Sequence, residues 1–311
     1  MPDDVLSLVG HTPMVELKHC SPKPGVRLFA KLEGQNPTGS VKDRIVSYML
    51  AMARADGRLA PGQPVVEATT GNTGIALAMA GRRLGHPVRL VVPNIAFSDV
   101  TQALKAWEPR IDWVAADVGI KSAIIEARRI AEDEGAYLLD QFVSPDNPRC
   151  HYETTAPEII EQAPDVDVFV CGLGTSGTAM GVGRRLKEHN GDLRLVVAEP
   201  HPGHNLQGLR SLDDGYVPPI LDLGLLDAKY VVRSADAFRA VREMLRRDGV
   251  LGGLSSGAVL HAALKWAQRV ERANIVMLFA DSGWKYLNSP AFRLDASLED
   301  PEEAFEDVLW W

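Results

Sequence analysis

Gly174-Thr175-Ser176-Gly177-Thr178 joins a Val/Phe-rich strand, predicted over residues 166–171, to a helix predicted over 178–189. Such a turn exposes backbone N–H groups at the positive end of a helix dipole, where anions bind. Small residues let the backbone approach the anion, and the three hydroxyl groups add hydrogen-bond donors. The stretch therefore predicts a binding site for a phosphate group.

The same turn also matches the dinucleotide-binding pattern G-x-G-x-x-G, from Gly172 to Gly177. Glu199, at the end of the next predicted strand, lies roughly where a ribose-binding acid belongs. The match alone is weak, because glycines at strand-to-helix turns are common for packing reasons. The hydroxyl-rich version fits a compact terminal phosphate better than a pyrophosphate.

The composition is that of an ordinary globular protein. Of the 311 residues, 46% are hydrophobic and 24% are charged, and the net charge of −8 disfavours a nucleic acid as partner. No run approaches 18 apolar residues and the N-terminus lacks a signal-peptide pattern, so we expect no membrane span and a cytoplasmic location. Three widely spaced cysteines, Cys20, Cys150 and Cys171, predict neither a disulfide framework nor a metal site.

Short apolar runs alternate with helical patterns, which predicts an α/β fold with mostly parallel sheets. Strands are predicted at 26–32, 65–68, 88–92, 111–115, 137–139, 166–171, 193–198 and 275–280. Helices are predicted at 41–55, 74–84, 121–134, 178–189, 235–248 and 257–272. Pro and Asn interrupt the pattern at 145–149, where we place the seam between two α/β layers.

The C-terminal tail has a different character. Asp300 is expected to cap a short acidic helix, and the chain stops at Trp310-Trp311. Two tryptophans are costly to leave in water. The tail is expected to pack on its own domain or on a dimer mate, or to act as a lid over the active-site mouth.

Lys42 follows a run of turn residues and lies in the first turn of a predicted helix. The positive end of the helix dipole disfavours an ammonium there and promotes the nucleophilicity of the amine. This environment suits a lysine that forms a Schiff base. A surface lysine paired with Asp43 is about equally compatible with this stretch.

Two more turns precede predicted helices. Thr69, Thr70, Asn72 and Thr73 present hydroxyl and amide groups beside exposed N–H groups, which suits a carboxylate or a plain capped helix equally. Ser255, in Gly252-Gly253-Leu254-Ser255-Ser256-Gly257, could bond a ring nitrogen, although such a serine is more often a helix cap.

The four stretches occur together in the order and spacing of the cysteine synthases, and the chain resembles that family along nearly its whole length. Further matches include Gly10-His11-Thr12-Pro13, Gln141-Phe142 and Asp281-Ser282-Gly283-Trp284-Lys285-Tyr286-Leu287. The family consists of fold-type-II enzymes dependent on pyridoxal 5'-phosphate and is related to the tryptophan synthase β-subunit. The resemblance implies a homodimer with a larger cofactor-binding domain, 1–38 and 150–294, a smaller mobile substrate domain, 39–149, and the tail, 295–311.

The resemblance also implies roles by position. Lys42 would form the Schiff base with the cofactor and remove the substrate α-proton. Asn72 would bond the phenolic oxygen of the cofactor, and Ser255 would face its pyridine nitrogen, favouring β-elimination over transamination. Gly174, Thr175, Ser176, Gly177 and Thr178 would hold its phosphate. Thr69, Thr70, Thr73 and Gln141 would bind the carboxylate of the amino-acid substrate.

The implied reaction is β-replacement on an activated serine through an aminoacrylate. Arg210 resembles the arginine of the O-phosphoserine-using actinobacterial branch, where acetyl users carry small residues. A planar guanidinium suits a phosphate dianion, so O-phosphoserine is favoured over O-acetylserine, with a salt bridge to Asp213 or Asp214 as the alternative role of Arg210.

The chain departs from the family pattern at residues 98–102, which replace a Glu-Arg-Arg run, and at Thr70, which replaces a serine. These departures leave the nucleophile open. Sulfide, the thiocarboxylate of a sulfur-carrier protein and a non-sulfur nucleophile all fit. A serine or threonine deaminase is a further alternative, although it needs no phosphate-binding arginine beside the amino-acid site.

Overall fold

The computed structural model describes residues 4–94, 98–115, 120–204, 206–292 and 309–310, which form two β-sheets flanked by helices. The strands are β1 (Met14–Glu16), β2 (Val26–Leu32), β3 (Val65–Ala68), β4 (Val88–Pro93), β5 (Arg110–Val114), β6 (Tyr137–Leu138), β7 (Val168–Gly172), β8 (Arg194–Pro200), β9 (Ala228–Val232), β10 (Ala273–Phe279) and β11 (Leu309–Trp310). The helices are α1 (Lys42–Ala55), α2 (Asn72–Leu84), α3 (Ser98–Lys105), α4 (Ile120–Glu134), α5 (Asp146–Cys150), α6 (Ala156–Gln162), α7 (Gly177–His189), α8 (Ser234–Asp248) and α9 (Leu254–Ala267). A π-helical turn at His151–Thr155 joins α5 to α6.

The larger sheet has the strand order β1-β2-β10-β7-β8-β9-β11. Its five central strands run parallel, whereas β1 and β11 pair antiparallel at the two edges. The smaller sheet, β5-β4-β3-β6, is parallel throughout. The predicted α/β fold with mostly parallel sheets is confirmed.

Side chains on the central strands alternate between two buried faces, as the strand period of two requires. On β7, Val168 packs with α8 and α9, whereas Phe169 packs with α6 and α7. On β3, Val65 packs with α1 and α2, whereas Val66 packs with α4. Because both faces of each sheet are covered by helices, the strands read as continuous apolar runs rather than as alternating ones.

The eight strands predicted from the sequence are present, each within two residues of its predicted bounds. The helix predicted at 257–272 is shifted, because α9 begins at Leu254 and ends at Ala267. β10 pairs with β2 from Ala273 onward, so residues 268–272 are needed for the chain reversal. β9 was not predicted, because Lys229 breaks its apolar run; the lysine is buried and its Nζ atom lies 2.5 Å from Oε1 of Glu199.

Residues 145–149, where the seam between the two layers was predicted, contain the start of the short helix α5 at Asp146. Pro145 precedes the helix and Pro148 lies in its first turn, where backbone N–H groups have no intrahelical partner and proline is tolerated. The larger sheet takes its described strands from residues 14–32, 168–279 and 309–310, and the smaller sheet from 65–138. The exact domain limits stay a prediction.

The helix predicted near Asp300 lies outside the described residues. At Leu309 and Trp310 the backbone is a strand, with Leu309 opposite Tyr230 and Trp310 opposite Lys229 of β9. These two residues therefore extend the edge of the larger sheet, and the lid stays a prediction. Among the helices described, none combines the length and the apolarity that a bilayer crossing needs.

Candidate active site

The carboxyl ends of the central strands of both sheets meet at one cleft, which has an adjoining inner lobe. Ligands of parallel α/β sheets bind at this edge. The predicted site residues that line the cleft or its inner lobe are Lys42, Thr69, Thr70, Asn72, Thr73, Gln141, Gly174, Thr175, Ser176, Thr178, Arg210 and Ser255. Gly177 is not in the lining and begins α7 directly behind it.

Lys42 is the first residue of α1, and its side chain lines both parts of the cleft. Burial lowers the pKa of its amine from 10.5 to about 8; Asp281 opposes this shift and Lys285 adds to it. A lowered pKa increases the fraction of neutral amine, which is the nucleophilic and basic form. Pairing with Asp43, the alternative from the sequence, is not observed: Asp43 accepts hydrogen bonds from the backbone N–H, at 2.6 Å, and the hydroxyl of Thr38.

The first turn of α1 is tied to the larger sheet. The backbone N–H of Val41 donates to the carbonyl of Ala280 at 2.8 Å, directly after β10. Two residues beyond Lys42, the buried guanidinium of Arg44 lies 2.6 Å from Glu33 and 2.7 Å from Glu158. These contacts fix the position from which the Lys42 side chain enters the cleft.

The Asn72 side chain belongs to a hydrogen-bonded group behind Lys42. Its Nδ2 atom donates to Oδ2 of Asp281 at 2.7 Å, and its Oδ1 atom accepts from Nζ of Lys285 at 2.7 Å. The Tyr286 hydroxyl donates to the same Asp281 oxygen at 2.5 Å. Asp281 is buried, which raises the pKa of its carboxyl despite the opposing effects of Lys285, Tyr286 and Asn72.

The phosphate site predicted at residues 174–178 has the geometry of an anion cradle. Ser176 has a φ of +71°, in the left-handed region, and its buried Oγ atom has no hydrogen-bond partner among the described residues. A strained serine with an unsatisfied hydroxyl at a helix start is accounted for if an anion accepts that hydrogen bond. A Cβ atom at Gly174 would lie 2.8 Å from the carbonyl oxygen of Gly208, so the close approach of these backbones requires glycine.

Helix α5 and the π-helical turn that follows it support the cradle from the side away from the cleft. Asn147 donates from Nδ2 to the Thr175 hydroxyl at 2.9 Å and to the Gln141 carbonyl at 2.7 Å. The hydroxyl of Thr178 lies 3.2 Å from Nε2 of His151. Burial holds the pKa of His151 well below its ordinary value, so the imidazole is neutral and adds no charge to the cradle.

The loop after β3 presents hydrogen-bond donors to the cleft. Oγ1 of Thr69 accepts from the backbone N–H groups of Gly71, at 3.0 Å, and Gly74, at 3.2 Å. This closes the turn and leaves the hydroxyl proton of Thr69 available as a donor. The carbonyl of Thr70 accepts from Nε2 of Gln207 at 3.0 Å, which links the loop to the segment after β8.

Gln141 lines the cleft, but its amide is engaged. Its Oε1 atom accepts from the Thr73 hydroxyl at 2.6 Å, and its Nε2 atom donates to Glu67 and to the carbonyl of Ala68, both at 3.1 Å. A side-chain amide has two N–H donors, so both are used in this arrangement. Gln141 thus braces the loop after β3, and its direct contact with a substrate carboxylate stays a prediction.

Ser255 and Arg210 both line the cleft. Ser255 is buried in the first turn of α9, whose cap residue is Gly253, so its hydroxyl is not used as a cap. The Arg210 guanidinium lies over the face of Phe142, 5.9 Å from the ring centroid. Such a cation–π contact orients the flat guanidinium group.

Sequence reasoning gave no role to Asp281, Lys285, Asn147 or Gln207. Asp281 follows the carboxyl end of β10, and that position was a usable signal because functional groups gather at this edge. Asn147 and Gln207 act across tertiary contacts that no local pattern reveals. Glu199, the ribose acid of the dinucleotide alternative, is instead paired with Lys229 and accepts from the backbone N–H of Leu212.

Known proteins resemble the chain along most of its length. A family model described as "Pyridoxal-phosphate dependent enzyme" matches residues 5–281. Cysteine synthase B of Salmonella typhimurium is 36% identical over 285 residues, which cover 91% of this chain and 94% of that protein. Cysteine synthase of Aquifex aeolicus is 37% identical over 301 residues, with 93% and 92% covered. The crystal structure of O-ureido-L-serine synthase matches with a TM-score of 0.88 and 31% identity, covering 94% of this chain and 95% of that one.

The residues of the cleft fit pyridoxal 5'-phosphate. For the phosphate, the cradle has hydroxyl donors, an unsatisfied buried Ser176 hydroxyl and a helix start. The Lys42 amine, with its lowered pKa, would suit the aldehyde, and the neutral Ser255 hydroxyl would suit the pyridine nitrogen. The match over residues 5–281 and the two cysteine synthases agree with this donor set, so the chain belongs to the pyridoxal-phosphate dependent enzymes, and its cofactor is pyridoxal 5'-phosphate.

Proposed function

We propose that this enzyme catalyses β-replacement on O-phospho-L-serine, with a sulfur nucleophile that yields L-cysteine. Its similarity to cysteine synthases supports β-replacement as the reaction type. The observation that carries the choice of leaving group is Arg210, whose side chain lines the same cleft as Lys42 and the loop that begins at Thr69.

Bound pyridoxal phosphate supplies an electron sink at the substrate α-carbon. The Lys42 amine takes the proton from the α-carbon, which its pKa of about 8 permits near neutral pH. As the bond from Cβ to the phosphate oxygen breaks, Arg210 receives the departing phosphate. The sulfur of the nucleophile then bonds to Cβ, and Lys42 returns the proton to the α-carbon.

The loop after β3 orients the substrate carboxylate. The start of α2, at Asn72 and Thr73, supplies backbone N–H groups at the positive end of the helix dipole. The Thr69 hydroxyl adds a side-chain donor. Asn147 and Gln141 act as braces that hold the cradle and this loop against each other.

Arg210 suits a phosphate leaving group better than an acetyl group. Its planar fork can donate two parallel hydrogen bonds to a phosphate dianion, and charge-assisted hydrogen bonds of this kind are strong in a closed cleft. The Phe142 ring keeps the guanidinium flat beside the opening. An acetyl ester carries no charge for this group to bind.

The test compares kcat/KM for O-phospho-L-serine and O-acetyl-L-serine, with sulfide as nucleophile. Arg210→Ala should lower the value for O-phospho-L-serine by about 100-fold, the size expected for a lost charged hydrogen bond, and that for O-acetyl-L-serine by less than threefold. Arg194→Ala is the matched control, because Arg194 is at the far end of β8 and pairs with Asp227. Equal losses on both substrates would remove the proposed role of Arg210.

A non-sulfur nucleophile is a second candidate, favoured by the likeness to O-ureido-L-serine synthase. The enzyme with O-phospho-L-serine is offered sulfide, a thiocarboxylate sulfur-carrier protein and hydroxylamine-type nucleophiles in separate reactions, and products are identified by mass. Cysteine as the main product supports the sulfur assignment. An O-substituted serine formed at a higher kcat/KM supports the second candidate, and pyruvate alone in every reaction indicates a deaminase.

A further inference from the structure

The Asn72 amide lies between two side chains of opposite charge. Lys285 contacts its carbonyl oxygen at 2.7 Å, and Asp281 contacts its amide nitrogen at 2.7 Å. No salt bridge between Lys285 and Asp281 is present within the described residues, so the amide bridges the two groups. Asn72 itself lines the cleft, and Lys285 stands behind it and is absent from the lining.

We propose that Lys285 and Asp281 are positioning residues that fix the orientation of the Asn72 amide, so that one N–H group of Asn72 points into the cleft. The inference depends on the established cofactor and is independent of the identity of the activated serine.

The charges of Lys285 and Asp281 determine which end of the Asn72 amide faces each of them. An ammonium only donates hydrogen bonds, and an ionised carboxylate only accepts them. If the amide turned over, its NH2 group would meet the Lys285 ammonium, and its oxygen would meet the Asp281 carboxylate. The contact with the ammonium would be repulsive, and the contact with the carboxylate form of Asp281 would be repulsive as well, so the two neighbours disfavour the flipped state.

The remaining N–H group of Asn72 is therefore directed. An amide nitrogen carries two hydrogens, and Asp281 takes one of them at Oδ2. In the proposed arrangement the second hydrogen faces the cleft, which Asn72 lines together with Lys42. A donor held in this way favours an anionic oxygen on the ligand without a reorganisation cost when the ligand binds.

The positions of Lys285 and Asp281 are fixed largely by one short segment. Lys285 and Tyr286 lie in the 3-10 turn Gly283–Tyr286, and the Tyr286 hydroxyl holds Oδ2 of Asp281 at 2.5 Å. Burial lowers the pKa of Lys285, and the nearby carboxylates of Asp281 and Asp43 oppose that shift and favour the ammonium. The backbone around Asp281 is also fixed, because Gly253 N–H donates to its carbonyl at 3.0 Å.

The test is a double-mutant cycle on the affinity of the full chain for pyridoxal 5'-phosphate, measured by equilibrium dialysis. Lys285→Met should weaken binding about tenfold in the wild-type background and less than twofold in the Asn72→Ala background, because the lysine acts through Asn72. Lys285→Arg, which keeps a donor-only cation, should bind within threefold of wild type. Lys18→Met is the matched control, since Lys18 is exposed and outside the cleft.

A second measurement separates positioning from general stability. The absorption maximum of the bound cofactor reports hydrogen bonding to its phenolic oxygen, so Lys285→Met and Asn72→Ala should shift it in the same direction, and Lys18→Met should leave it unchanged. Equal losses of affinity from Lys285→Met in both backgrounds, or an unshifted maximum in Lys285→Met, would overturn the proposal. Neither measurement uses an activated serine, so failure here is distinguishable from failure of the proposed function.

Discussion

Oδ1 of Asn147 occupies the space in which a side chain at position 177 would begin: a Cβ atom added to Gly177 would lie 1.9 Å from it. The same asparagine donates to the Thr175 hydroxyl at 2.9 Å. One side chain of α5 therefore fixes two residues of the phosphate cradle and sets the distance between α5 and α7. This contact explains why glycine begins α7.

Gly177→Ala is expected to weaken the binding of pyridoxal 5'-phosphate by more than tenfold, because the new methyl group must displace Asn147 or the cradle itself. Adding Asn147→Ala should recover part of the affinity, since it removes the atom that clashes. Fluorescence titration of the apoenzyme with the cofactor measures both effects. Gly191→Ala is the control, because a Cβ atom there meets nothing within 4 Å. If Gly177→Ala binds like wild type, the close packing is not required.

The Lys42 amine should titrate near pH 8, well below the ordinary value of 10.5, because burial lowers its pKa. The rate at which the apoenzyme captures pyridoxal phosphate as a Schiff base should therefore rise with pH and level off above about pH 8. Competitive labelling of lysines in the apoenzyme provides a direct check, with exposed Lys18 as the internal control. A midpoint near 10.5 for Lys42 would contradict the effect of burial. Lys42→Ala should lose the Schiff-base absorbance.

Glu67 should make the enzyme less stable as the pH rises. Burial raises the pKa of its carboxyl from 4.5 to about 8, and its Oε2 atom has no hydrogen-bond partner among the described residues. Between pH 4.5 and 8 the folded state binds the proton more tightly than the unfolded state does, so this contribution is fully present below pH 4.5 and is lost by about pH 8.

Urea unfolding of wild type and Glu67→Gln at pH 5 and pH 8.5 isolates this contribution, because the other titrating groups are common to both proteins. The amide cannot ionise, so the variant should gain stability relative to wild type on going from pH 5 to pH 8.5. If wild type and Glu67→Gln differ in free energy of unfolding by the same amount at pH 5 and pH 8.5, the assignment to Glu67 is contradicted.

Arg44→Met should destabilise the protein by about 3–5 kcal/mol, because it leaves the buried Glu33 carboxylate without its cation and leaves Glu158 with Lys31 alone. Arg129→Met is the matched control: Arg129 is 57% exposed in its pairs with Glu126 and Asp133, and its loss should cost less than about 1 kcal/mol. Urea unfolding monitored by circular dichroism measures both. A similar small effect from both substitutions would mean that the Arg44 network adds little stability.

Much of the fold could be predicted from the sequence because the central strands are covered on both faces. Apolar runs such as Val168–Gly172 then stand out from the helical patterns around them. The strands and helices that were missed lack this contrast. β9 contains a charged lysine, Lys229, whose pairing with Glu199 is visible only in three dimensions, and β1 at Met14–Glu16 is too short for a pattern.

The candidate site was predictable where chemistry follows the end of a strand, as at Lys42, Thr69 and Gly174. It was less predictable where side chains bond each other. The engaged amide of Gln141 and the charged neighbours of Asn72 depend on loops from both sheets, and no local pattern encodes that meeting.

Helix α1 is connected to both sheets: the backbone at its start is hydrogen-bonded to the larger sheet, and its apolar side chains pack against the smaller sheet. Val41 is bonded to Ala280 after β10, whereas Ile45 and Met49 pack in the core that contains Val65 of the smaller sheet. The Lys42 amine therefore lies at the point about which one sheet could rotate relative to the other. A tilt of the smaller sheet about this turn would widen or narrow the gap between the loop after β3 and the cradle. The Lys42 amine would keep its position between them.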